Sequence, residues 1–181
     1  GVSEQYTLVL GRDMNKDGTN IGPFTKTLLE AAVSHQKTSG TILVVAPGFN
    51  PDFPGQTESF ATMMARHLKR LGVNAVEVLQ ADHFSTYGEL AAYRDFLEGK
   101  SPDRYEVMGY RGHLWRARVE ALQVGGWKWG RGLKPVSVPG GLTGFDYLIE
   151  PFKWVKLLLP RPLQIRAIAF WKETINRRTS Y

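Results

Sequence analysis

The chain of 181 residues contains no cysteine. That absence excludes disulfides, thiol nucleophiles and cysteine-ligated metals, and it leaves the redox compartment unreadable from thiol usage. Histidine is scarce: His35, His67, His83 and His113 are the only four, and no two stand at metal-ligand spacing. No apolar run reaches the ~18 residues of a membrane-crossing helix, and no signal peptide is recognisable. The expected location is therefore cytoplasmic or peripheral to a membrane. A Gly-x-Gly-x-x-Gly dinucleotide fingerprint is also missing, which favours hydrolysis or group transfer over redox chemistry.

Acidic residues are nearly missing from one region. Residues 151–181 hold seven basic side chains (Lys153, Lys156, Arg161, Arg166, Lys172, Arg177, Arg178) against Glu173 alone, a balance equal to the whole formal net charge of +6. The other 150 residues carry 16 basic and 16 acidic side chains and are neutral. A nucleic-acid-binding domain would spread cations over its body, so no nucleic-acid partner is expected. The tail interleaves its charges with Phe152, Trp154, Val155, Leu157, Leu158, Leu159, Ile165, Ile168, Phe170 and Trp171. Two readings stand: these apolar faces cover a sheet, or the segment makes peripheral contact with an anionic membrane.

The rest of the chain alternates apolar runs with helical patterns. Tyr6–Leu10 leads through Gly11–Pro23 to a helix over Phe24–His35, and Thr41–Ala46 leads through Pro47–Thr57 to Glu58–Leu71. Ala75–Val78 then leads through Gln80–Ser85 to Thr86–Leu97, and Arg104–Met108 leads through Gly109–Gly112 to His113–Leu122. A fifth strand, Lys134–Val138, follows the Gly/Trp-rich stretch Gly125–Gly132, and helices near Tyr147–Leu158 and Pro162–Arg177 close the chain. This alternation predicts one α/β domain over residues 1–181, with a mainly parallel sheet, helices on both faces and a basic helical extension at 147–181.

In such sheets ligands bind outside the carboxyl ends of the strands, where strand order reverses. The four strand-to-helix connections bring there Gly11, Asp13 and Asn15; Gly48 and Glu58; His83, Ser85, Thr86 and Glu89; and His113 and Arg116. The last pair opens a helix at spacing i, i+3, which places both on one face. Between Gly109 and Gly112 and that helix start, backbone amides, imidazole and guanidinium together suit an anion. Glu58 is either a charge favoured at a helix start or a general base. Thr86 either caps its helix in a Thr-x-x-Glu box with Glu89 or offers its hydroxyl to a ligand. Asp13, Asn15 and Asp17 before Gly18 have the opening of a calcium loop, but its closing glutamate is replaced by Phe24, so a solvated turn is expected.

In order, Gly11 after the first strand, Ala46-Pro47-Gly48 then Glu58, Ser85-Thr86-x-x-Glu89, and His113-x-x-Arg116-Ala117 resemble the DUF218 family, also called YdcF-like. The likeness covers roughly residues 6–122. It implies a Rossmann-like three-layer sandwich with a polar pocket at the strand ends and an association with the bacterial cell envelope; one member of the family is reported to bind S-adenosylmethionine. By position, Glu58, Thr86, His113 and Arg116 match the family's acidic residue, threonine, histidine and arginine. The family's Gly-Gly is reduced here to Gly48 after Pro47, and its asparagines appear as Ser85 and Glu89.

The leading expectation is an enzyme acting on a phosphorylated or nucleotide-like small molecule. His113 and Glu58 carry the catalysis; Arg116, Thr86, Gly11, Gly48, Asn15, Ser85 and Glu89 bind the substrate, and no metal takes part. Its rival is a non-catalytic nucleotide- or S-adenosylmethionine-binding module.

Overall fold

A computed structural model describes residues 4–140 and 144–178, with side chains described to residue 140, over 151–167 and at 169–170. The chain divides into two compact units, Gly1–Gly141 and Leu142–Tyr181.

The first unit is a Rossmann-like α/β sandwich. Strands β1 (Gln5–Val9), β2 (Ile42–Val45), β3 (Val76–Val78), β4 (Arg104–Tyr110) and β5 (Lys134–Val138) form one all-parallel sheet in the order β3-β2-β1-β4-β5. Helices α1 (Pro23–Ser39) and α2 (Phe60–Arg70) cover one face; α3 (Thr86–Glu98) and α4 (Arg111–Gly132) cover the other. Successive strand side chains point to opposite faces. Thus Val9, Val45 and Met108 pack with Leu28, Leu29 and Met64, while Leu8, Leu10 and Val107 pack with Leu90, Tyr93 and Ala117. Both faces being covered, the inner strands β1, β2 and β4 are mostly buried and mostly apolar, while the edge strands β3 and β5 stay largely exposed.

Three local expectations are corrected. The predicted loop Gly109–Gly112 does not exist: β4 continues through Tyr110, pairing Gly109 with Ser137 and Tyr110 with Val138, and α4 begins at Arg111. Gly109 sits close against Leu10, whose Cδ1 would stand 3.2 Å from an added Cβ. The stretch Gly125–Gly132, expected as a connection, is helical beyond a kink at Gly126 (φ 77°, ψ −179°). Trp129 holds it, stacked on Tyr105 at 6.0 Å between ring centres and accepting the Tyr105 hydroxyl's hydrogen bond at its carbonyl. Glu58, finally, precedes its helix, which starts at Phe60 with Ser59 Oγ accepting from the Thr62 amide.

The second unit contains α5 (Gly144–Leu157) and α6 (Arg161–Arg178), joined by a short turn through Pro160. Gln164 Nε2 donates to Leu159 O at 2.7 Å, closing that turn. Trp171, expected with the apolar face of the tail, lies outside the residues whose side chains are described.

Candidate functional site

Strand order runs outward from β1 to β3 on one side and from β4 to β5 on the other, so it reverses between β1 and β4. Crevices for ligands open at such points because the connections on either side splay to opposite faces. Gly11 follows β1 there, and His113 is the third residue of α4.

The start of α3 supplies the partner. Ser85, not Thr86, is the N-cap, its Oγ accepting from the Gly88 amide at 3.1 Å. The capping role being taken, the Thr86 hydroxyl is bonded instead to His113 Nε2, at 2.8 Å and mostly buried. That bond joins the first turns of α3 and α4 and fixes the imidazole ring. Gly88 lets the first turn of α3 pack against the chain before it: a Cβ there would stand 2.2 Å from His83 O.

The predicted capping box is likewise corrected at Glu89. Its carboxylate does not return to its own helix; Oε1 accepts from the Gly11 amide at 2.9 Å, across 78 positions of sequence. Glu89 is only 4% exposed. Burial pushes its pKa up to about 8; the Gly11 amide opposes the shift and the charge of Glu120 adds to it. Around neutrality the group therefore holds its proton much of the time.

Arg116 is buried on α4, with Nη1 3.9 Å from Oε1 of Glu120, itself buried. Glu120 escaped the sequence reading. Its signal was present: Arg116-x-x-x-Glu120 is an i, i+4 charge pair lying among Ala117 and Ala121, on the face turned to the sheet. Gly11, Thr86, Glu89, His113, Arg116 and Glu120 thus form one polar cluster at the switch point, carried by the chain just after β1 and by helices α3 and α4.

The other predicted residues are engaged differently. Glu58 gives both carboxylate oxygens to Arg66, Oε1 at 2.7 Å from Nη1 and Oε2 to Nη2. The hydrogen bond from Arg66 holds its pKa below the ordinary carboxylate value. Asn15 folds its own loop, Oδ1 accepting from the Asn20 amide at 3.0 Å and Nδ2 donating to Thr19. Asp13 accepts from the Thr25 amide at 2.8 Å and so caps α1, whose own N-cap is Gly22. Gly48 is a point of close approach, where a Cβ would stand 2.7 Å from Ala81 O. Its carbonyl and that of Pro47 accept the first amides of α2, from Phe60 at 3.1 Å and Ala61 at 2.8 Å.

A third buried carboxylate lies at the amino end of the sheet. Glu106 of β4 accepts from Thr7 Oγ1 at 2.9 Å, lies 2.6 Å from His35 Nε2 and pairs with Arg104. Burial raises its pKa, but the hydrogen bonds from His35 and Thr7 and the charges of His35 and Arg104 outweigh that and hold it below the usual value.

Compared with known proteins, the chain matches no protein-family model and no curated protein.

Proposed function

We propose that the cluster between β1 and β4 binds a small anionic molecule, phosphorylated or nucleotide-like, and that the chain is an enzyme of the DUF218 kind catalysing hydrolysis or group transfer on it. The observation that carries this reading is the hydrogen bond between Thr86 Oγ1 and His113 Nε2 at the switch point. An imidazole titrates near neutrality and so suits proton transfer at a reacting oxygen, provided it is held in one orientation. Thr86 does the holding. Arg116 supplies a planar, permanently charged group for a phosphate or carboxylate. Glu89, with its raised pKa, is a second proton-bearing group in the same cluster.

The test is turnover on a panel of phosphomonoesters and nucleotides, with binding followed by calorimetry. His113→Ala is expected to lower turnover by about 10²- to 10⁴-fold, the usual contribution of a general acid or base. Arg116→Ala is expected to weaken phosphate-bearing ligands by about 1.5–3 kcal/mol, with Arg116→Lys restoring only part. Undiminished turnover in His113→Ala sinks the catalytic reading. One observation favours the rival, a module that binds a nucleotide or S-adenosylmethionine without reaction: Glu58, the candidate base, is already committed to Arg66. In that case His113→Ala alters affinity alone.

A further inference from the structure

Apolar surface is distributed unevenly along this molecule. Among the described residues, thirteen large hydrophobic side chains are exposed, and eight of them fall within residues 152–170. Phe152 is 60% exposed, Leu158 85% and Phe170 71%, with Val155, Leu163 and Ile165 also open. Surface of this density is unfavourable in water and marks a place that something covers.

The charge pattern names the cover. From Pro151 to Lys172 there is no acidic residue, while Lys153, Lys156, Arg161, Arg166 and Lys172 are spaced among the apolar side chains. A second copy of the same face would bring cation against cation, which is costly in an apolar contact. An anionic lipid surface meets both needs, since acyl chains take the apolar side chains and headgroup phosphates take the cations at the ends of their flexible stems. Among the described residues no helix is long and apolar enough to cross a membrane, so the helices would lie in the interface.

We infer that α5, α6 and the turn between them form a docking element for anionic phospholipid surfaces. The element owes nothing to the β1–β4 cluster and stands whether or not that cluster is catalytic.

Sedimentation of the full chain with vesicles tests it. In about 0.1 M salt the protein is expected to pellet with phosphatidylcholine vesicles containing phosphatidylglycerol. It should remain largely in solution with phosphatidylcholine alone, or in about 1 M salt, where the screening length shrinks from ~10 Å to ~3 Å. Leu158→Ser, at the most exposed apolar position, is expected to weaken partitioning roughly tenfold. Arg166→Gln is expected to weaken it about fivefold, the worth of one basic residue at such a surface. Both positions are exposed, so neither change removes a core contact. Protein that stays in the supernatant with anionic vesicles at low salt overturns the inference. So does equal binding to neutral vesicles, or self-association in place of vesicle binding, which would assign the face to a second copy.

Discussion

Glu89 and Glu106 are both buried in the first unit, at opposite ends of the same sheet. Glu106, at the amino end, is surrounded by groups that want its charge: His35, Thr7 and Arg104. Glu89, at the carboxyl end, has one backbone amide in its favour and a second carboxylate, Glu120, against it. The first arrangement satisfies an ion and locks elements together. The second leaves a carboxyl group pulled toward its neutral form, a cost in stability of the kind that collects at functional sites. Burial alone therefore does not mark a site; what separates the two is whether the surroundings complete the charge or oppose it.

The largest expected effect breaks the satisfied end. Glu106→Ala removes the centre of a network that includes His35, Thr7 and, through Thr7 Oγ1 at 2.7 Å, Thr41. A loss of about 1–3 kcal/mol in urea unfolding is expected, because Thr7 and Thr41 remain buried without the carboxylate that accepted from Thr7, while Arg104 and His35 can turn to water. A loss below about 1 kcal/mol would mean that the network is idle.

Glu89→Gln sharpens the contrast through pH. With its folded pKa raised to about 8, Glu89 keeps in the native state a proton that the unfolded chain has released. Its stabilising share is complete below the unfolded carboxylate pKa of ~4.5 and is lost as pH rises through about 8. Wild-type melting temperature should therefore fall across that window more steeply than that of Glu89→Gln, which has no proton to lose. Parallel melting curves at pH 5, 7 and 9 would contradict the assignment.

Ser85→Ala tests how the second end is built. Losing the cap of α3 should cost about 1 kcal/mol in thermal unfolding. It should also loosen Thr86, so that the His113 ring resonances shift in a nuclear magnetic resonance titration; unchanged resonances would show that Thr86 is positioned without the cap. The smallest effect is expected from Glu58→Gln. Its ion pair with Arg66 is partly exposed, and such pairs contribute under about 1 kcal/mol. A stability change that small, with turnover retained, would place Glu58 outside the chemistry. Loss of turnover would restore it as a base.

These contrasts separate what local sequence carries from what it does not. The order of strands and helices was legible because period-2 and period-3.6 hydrophobic patterns are local, and β5 spans Lys134–Val138 as read. The cluster's location was legible as well, since in a parallel sheet the strand-to-helix connections must open at one edge. Tertiary structure decided the rest. Gly109 and Gly112 look like a turn in sequence, yet pairing with β5 carries the strand past Gly109 and the helix begins before Gly112. Thr86-x-x-Glu89 looks like a capping box, yet Ser85 takes the cap and Glu89 reaches Gly11, 78 positions away. Glu106 meets Thr7 across 99 positions. Desolvation and charge pairing depend on neighbours in space. The sequence by itself could therefore name the carboxylates but not say which would be satisfied and which held against its charge.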